Sequence, residues 1–306
     1  MERINIGNSN LTSSRIGLGT WAIGGWMWGG THEAESIATI RAAIERGVTL
    51  IDTAPAYGFG RAEEIVGKAL AEGGLRDKVL IATKVGLAWH NRAVYRDSRA
   101  ARIHQEVEES LGRLRTDVID LYQVHWPDLE TPLEETARAL EDLRRHGKIR
   151  AIGVSNYSPG QMNHFRAFAR LDAVQPPYNL FEREIEGGVL PYAARTGLTV
   201  LSYGALCRGL LSGRMRPDLA RERYGKSVLA LAVRWVLDQG RTIALWGARR
   251  PEQLDAIGEI DGWRLDPDTK HEIDAILRRC ITNPVSPAFM APPAKRPVEQ
   301  AAVILY

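Results

Sequence analysis

Apolar and β-branched residues gather in short runs along this chain, and longer amphipathic runs separate them. The short runs are Arg15–Thr20, Thr49–Asp52, Val79–Lys84, Val118–His125, Arg150–Ser155, Ala173–Gln175, Thr199–Tyr203 and Thr242–Trp246, and they read as strands. In the longer runs, apolar residues recur three and four positions apart. Glu33–Arg46 places Ile37, Ile40 and Ile44 on one face, and Ala101–Leu114 does the same with Ile103, Val107, Leu111 and Leu114. Pro132–His146, Pro159–Arg170, Gly188–Thr196, Lys226–Gln239 and Pro251–Ile260 continue the rhythm as helices. A proline near the start and a glycine past the end bound several of them, as Pro132 and Gly147 do.

Eight such strand–helix units in unbroken succession predict an α/β fold, a closed parallel (β/α)8 TIM barrel. An open doubly wound sheet would carry a G-x-G-x-x-G turn after an early strand, and Gly17-Leu18-Gly19 followed by Thr20-Trp21-Ala22 does not complete one. Arg3–Ile6 and Leu11–Ser14 read as an N-terminal β-hairpin closing the barrel's lower end. From Ile281 onward there is no periodicity, and prolines stand at 284, 287, 292, 293 and 297, so an extended C-terminal arm is expected. The chain is thus one domain over 1–306: hairpin 1–14, barrel 15–280, arm 281–306.

Composition narrows the function. The 306 residues are 44% hydrophobic and 25% charged, ordinary for a globular protein. A net charge of +3, with basic and acidic residues interspersed, does not suit a nucleic-acid partner. No apolar stretch is long enough for a membrane span, and Met1-Glu2-Arg3 leads into no apolar leader core. Two cysteines, Cys207 and Cys280, make neither a disulfide framework nor a thiolate metal site. A cytoplasmic enzyme on a small molecule is expected, as a monomer or weak homo-oligomer without a metal.

In a parallel barrel, active sites lie at the carboxyl ends of the strands. Asp52, Lys84 and His125 each close a predicted strand, and Tyr57 sits in the loop above Asp52. Singly, these could be a helix cap, a solvated amine, a core histidine and a packing aromatic. Together they form a device for polarising a carbonyl. A phenol is a weak acid at neutral pH, and a neighbouring ammonium is expected to lower its pKa. A paired carboxylate would keep that ammonium charged, and an imidazole could hold the substrate oxygen. The set lacks an acyl-transfer nucleophile and a metal-binding cluster. What it needs is a hydride donor, which has to be a cofactor.

The motifs Gly17-Leu18-Gly19-Thr20-Trp21, Asp52-Thr53-Ala54 with Tyr57, and Ala82-Thr83-Lys84 resemble those of the aldo-keto reductases. So do Asp120–Pro127 (DLYQVHWP) and Ile152–Asn156 (IGVSN), and the resemblance runs from Arg15 to Ile260. Asp52–Gly60, Gln175–Glu184, Cys207–Leu211, Ile243–Arg249 and Phe289–Pro293 are similar to a bacterial branch of general-stress reductases and glycerol dehydrogenases. The resemblance implies that Tyr57 is the general acid/base, that Lys84 and Asp52 tune it, and that His125 binds the carbonyl oxygen. It implies NADPH as cofactor, bordered by Thr20, Trp21 and Asp52. Ser155, Asn156 and Gln175 would hold the nicotinamide carboxamide, with Tyr203 stacked on the ring. Gly204, Leu206, Arg208 and Gly209 would follow the pyrophosphate. Gly247, Arg249 and Gln253 match the adenosine end, where Arg249 would pair with a 2′-phosphate.

Two departures from the family pattern stand out. Ile257 replaces an asparagine at the adenosine end, and the connection over 212–226 is short, so a chain break near Met215–Asp218 or a more open site is expected. Trp21, Trp26, Trp28, Phe59, Trp89 and Trp126 fall in loops on the same face, and of these Trp21 and Trp126 are expected to face substrate beside Tyr57 and His125. Such walls suit small neutral carbonyls. The expected reaction is reduction of small aldehydes and ketones. The alternatives are a dehydrogenase acting mainly on glycerol-like alcohols and an NADPH-binding regulatory subunit with slow turnover.

Overall fold

The structure, a computed structural model, describes residues 1–211, 224–282, 286 and 290–294. β1 (Arg3–Asn5) and β2 (Thr12–Ser14) form the antiparallel N-terminal hairpin. Parallel strands follow in chain order: β3 (Ile16–Gly19), β4 (Leu50–Asp52) and β5 (Leu80–Val85). A second hairpin, β6 (Leu87–His90) with β7 (Ala93–Arg96), interrupts them. Then come β8 (Ile119–Val124), β9 (Ile149–Ser155), β10 (Ala173–Gln175), β11 (Thr199–Ser202) and β12 (Thr242–Gly247). The parallel strands pair in succession, and β12 pairs with β3, closing the expected eight-stranded barrel.

Helices α1 (Glu33–Glu45), α2 (Arg61–Glu72), α3 (Ala100–Leu114) and α4 (Leu133–Arg145) cover the first half of the barrel. α5 (Pro159–Phe165), α6 (Val189–Thr196) and α7 (Val228–Leu237) cover the second. Their ends follow local chemistry. Ser158 caps α5 by accepting from Gln161 N while Gln161 reaches back, and Ser227 caps α7 by accepting from Ala230 N.

Several elements depart from the sequence reading. The eighth helical position, Pro251–Glu259, is a 3-10 helix rather than an α-helix. Two α-helices lie where no periodic run stood out: α2, and α8 (Pro267–Cys280) beyond the last strand. In α2, Gly67 looks like a helix breaker, but a Cβ there would lie 2.3 Å from Arg113 O, so the glycine lets α3 pack against it. The β6–β7 hairpin turns through Asn91 and Arg92, both at positive φ without the glycine that usually marks such a turn. Of the expected C-terminal arm, Met290 and Ala291 pack against Ala56, Leu87 and Trp126, while Arg96 binds Pro292 O at 2.9 Å and Pro293 O at 3.1 Å. Most of the short connection, 212–223 and with it Met215–Asp218, lies outside the described residues. No described helix is long and apolar enough to cross a membrane.

The barrel's interior is filled below by Leu50, Ala82, Leu121, Ala151 and Leu201, and Ile6 from the hairpin closes the stack from beneath. Ile6 is fully buried. Truncating it would leave a cavity under the barrel that rigid strands cannot collapse. Ile6→Ala should therefore lower the unfolding free energy by about 2–5 kcal/mol in urea titration while leaving ligand affinity at the opposite end intact. An unchanged midpoint would mean that the hairpin does not seal the core.

Candidate active site

Side chains alternate along a strand between the barrel's interior and its helix layer. Leu50, Ala82, Leu121, Ala173 and Leu201 point inward. Two residues further along the same strands stand Asp52, Lys84, Gln123, Gln175 and Tyr203, with His125 two beyond Gln123. The alternation that fills the lower barrel with apolar groups therefore delivers polar ones to the upper rim.

They meet around one buried ion pair. Lys84 is 0% and Asp52 2% exposed, and Lys84 Nζ lies 2.7 Å from Asp52 Oδ1. An ammonium has three hydrogens. Lys84 donates them to Asp52 Oδ1, to Thr53 O at 3.0 Å and to Tyr57 Oη at 3.1 Å. Tyr57 Oη is thus an acceptor from Lys84, and its own hydrogen is directed elsewhere. The other carboxylate oxygen, Asp52 Oδ2, accepts from Gln175 Nε2 at 2.8 Å and from Gln123 Nε2 at 3.3 Å. Tyr57 meets the His125 ring edge-on, 5.7 Å between centroids.

Burial sets the electrostatics. It opposes charge on Lys84, but the adjacent Asp52 and Tyr57 outweigh it and hold the ammonium's pKa above its ordinary value. Burial also raises the Tyr57 pKa. Lys84 pulls it down, as anticipated, yet the desolvation of a phenolate prevails, and the expected net lowering is not found. His125 is held well below its ordinary value by burial and then by the Lys84 charge, so its imidazole is neutral.

A second group lies beside this cluster. Ser155 Oγ donates to Gln175 O at 2.7 Å. Asn156, at φ +63°, donates to His125 O at 3.1 Å and to Ser155 Oγ at 3.0 Å, and accepts from Tyr203 Oη at 2.9 Å. Thr20 is buried and donates its hydroxyl to Asp52 O at 3.0 Å. Gly204 O accepts from Asn179 Nδ2 at 3.0 Å, Leu206 is half-buried and Gly209 is exposed. The Arg208 side chain lies outside the described residues. At the end of β12, Gly247 is exposed, and Gln253 Oε1 accepts from Arg249 N at 2.7 Å and Arg250 N at 3.1 Å. The Arg249 guanidinium reaches the loop after β3, where it binds Trp28 O and Gly30 O.

The aromatic loops separate into three groups. Trp28 packs on Trp21, which neighbours Tyr57, whereas Trp26, Phe59 and Trp89 form a stack of their own. Trp126 lies under the C-terminal segment, with the Arg96 guanidinium 5.5 Å from its ring. Arg96 is not legible as a site residue in the sequence, because a lone arginine carries no pattern. Gln123 is a further site residue without a local signal of its own. It sits two residues before His125, and Gly153 admits it, since a Cβ there would stand 2.8 Å from Gln123 Cγ. Gln123→Met keeps the volume and deletes a donor to a buried carboxylate. It should cost about 1–3 kcal/mol of stability in denaturant titration. No loss would show that Gln175 and Lys84 satisfy Asp52 alone.

The chain that carries this cluster matches known proteins in sequence as well as in fold. Residues 15–278 match the aldo/keto reductase family. The chain is 54% identical to the aldo-keto reductase YhdN of Bacillus subtilis (strain 168), over 97% of this chain and 100% of that protein. It is 36% identical to the NADH-specific methylglyoxal reductase of Escherichia coli (strain K12), over 83% of this chain and 91% of that one. The structure of the glycerol dehydrogenase AKR11B4 from Gluconobacter oxydans superposes with a TM-score of 0.86 at 50% identity, covering 94% of this chain and 99% of that chain. The chain belongs to the aldo/keto reductase family of oxidoreductases.

Proposed function

We propose that this protein reduces small aldehydes and ketones with NADPH, and that Tyr57 is the proton donor. The observation that carries the reading is the full commitment of the Lys84 ammonium. With Lys84 donating to Tyr57 Oη, the phenolic hydrogen is left to point at a substrate oxygen. Neutral His125 stands beside it as a second hydrogen-bonding partner for that oxygen. The hydride for the carbonyl carbon would come from the reduced nicotinamide. As carbon gains the hydride, oxygen takes the Tyr57 proton, and the Lys84 charge stabilises the phenolate left behind.

The residues suit such a cofactor. A primary carboxamide needs both donors and an acceptor, and Ser155, Asn156 and Gln175 cluster beside Asp52 with those groups. Gln175 commits its amide nitrogen to Asp52, and no partner for its Oε1 is found among the described residues, so that oxygen can receive an amide hydrogen. Arg249 supports NADPH over NADH, because its planar guanidinium suits a phosphate at the adenosine end. The relative that is NADH-specific makes this preference the part to measure. Similarity to a glycerol dehydrogenase supports a second direction, alcohol oxidation at the same site.

Three outcomes test the reading. Tyr57→Phe should abolish carbonyl reduction while NADPH fluorescence quenching persists; retained turnover would take the proton-donor role from Tyr57. A raised Tyr57 pKa keeps the phenol protonated, so reduction should stay nearly flat from about pH 6 to about pH 9, while oxidation, which needs the phenolate, should climb up to about tenfold per unit. A break in the reduction profile at about pH 6.5 would instead put a titrating His125 in the step. Arg249→Ala should raise the Kd for NADPH far more than that for NADH, and equal losses would show that Arg249 does not read the 2′-phosphate.

A further inference from the structure

The loop between β3 and α1 decides how the aromatic wall stands against Tyr57. Trp28 meets Trp21 edge-on at 5.4 Å between ring centroids, and Trp21 lies 6.3 Å from the Tyr57 ring. Little within the loop holds Trp28 there. Met27 is 65% exposed, and ideal Cβ positions at Gly29 and Gly30 have nothing within 4 Å. Trp28 Nε1 is buried with no hydrogen-bond partner among the described residues. Within the loop, Trp28 N and Gly30 N both donate to Gly25 O, at 3.0 and 3.1 Å, and Thr31 Oγ1 closes its base on Ile23 O at 2.8 Å.

From outside, Trp26 packs on Phe59 and Gly24 abuts the Tyr57 backbone, and the polar attachment near Trp28 comes from Arg249. Nη1 donates to Trp28 O at 2.5 Å and Nη2 to Gly30 O at 2.8 Å. The backbone beneath is anchored in turn, since Arg249 N donates to Gln253 Oε1 at 2.7 Å. The neighbouring Arg250 reaches Glu35, near the start of α1, at 3.4 Å. The loop that carries the pocket wall is therefore gripped by the residue proposed for the cofactor's far end.

We infer that Arg249 is a positioning residue for the carbonyl pocket, one guanidinium serving both the cofactor's 2′-phosphate and the Trp28 loop. This rests on the proposed reading of the Tyr57 site. A guanidinium has five N–H donors in a rigid plane. Two are committed to the loop carbonyls, and the others remain for a phosphate. A phosphate held by those donors fixes the plane of the group, and with it the position of both carbonyls. Occupancy at the adenosine end thereby tightens the wall beside the reacting carbonyl. A lysine would keep the charge, but its single flexible ammonium cannot grip two carbonyls and a phosphate together.

Arg249→Ala and Arg249→Lys test this with two readouts. The first is steady-state reduction of glyceraldehyde at saturating NADPH and, separately, at saturating NADH. The KM for glyceraldehyde should rise about fivefold or more in both variants with either cofactor. At the same time Tm should not move, and kcat should change by a smaller factor than KM. In the unsubstituted protein the glyceraldehyde KM should be lower with NADPH than with NADH. The second readout needs no turnover: acrylamide quenching of tryptophan fluorescence in the cofactor-free protein should increase in both variants. Unchanged glyceraldehyde KM or unchanged quenching overturns the inference, and so does a joint fall of kcat and Tm, which marks a general structural role. The 2′-phosphate reading fails separately, through equal Kd losses for NADPH and NADH, and the carbonyl reading fails through absence of turnover in the unsubstituted protein.

Discussion

The upper half of this barrel is organised around a charge that cannot be left unpaired. An ammonium and a carboxylate taken fully out of water cost far more than their attraction returns unless their remaining hydrogen-bonding capacity is met. Lys84 and Asp52 meet that condition through several strands. β4 contributes Asp52 and leads into Thr53, β5 carries Lys84, β8 supplies Gln123 and β10 supplies Gln175. Removing any one leaves a buried polar atom exposed to a low dielectric. Tyr57 is drawn in by the same requirement, because its oxygen takes the third ammonium hydrogen. The proposed acid–base function follows from satisfying a buried pair.

Outside the barrel, a second set of polar contacts holds the elements that carry those groups. Glu63 at the start of α2 accepts from Thr83 Oγ1 at 2.6 Å and from Arg113 Nε at 2.7 Å. Thr83 precedes Lys84 and points to the helix side, so one strand serves the site inward and its support outward. α2 begins just after the Tyr57 loop, and this contact ties the loop to the strand carrying Lys84. The β6–β7 hairpin and Arg96 act similarly for Trp126, pinning the described part of the C-terminal segment across it.

The proposed cofactor and carbonyl regions share their supports. Asn156 binds the His125 carbonyl on one side and the Tyr203 hydroxyl on the other. Gln175 joins Ser155 to Asp52. Arg249 spans from the end of β12 to the Trp28 loop.

The sequence by itself determined the barrel, the hairpin beneath it and four of the residues at its centre. Short apolar, β-branched runs and period-3.6 helices are local signals, and a polar residue ending an apolar strand is visible without coordinates. Asp52, Lys84 and His125 were legible for that reason, and Tyr57 because its loop follows Asp52. The motifs shared with the family added Ser155, Asn156 and Gln175, which also gather at the site. Helix α2 was not among the runs read from the sequence, and the close approach of α3 at its Gly67 is a tertiary feature. Gln123 and the loop grip of Arg249 depend on partners far away in sequence, so no local pattern could announce them. The direction of the Tyr57 shift was also tertiary. Proximity to Lys84 could be anticipated from the motif, but the desolvation that outweighs it arises only when the barrel closes around the phenol.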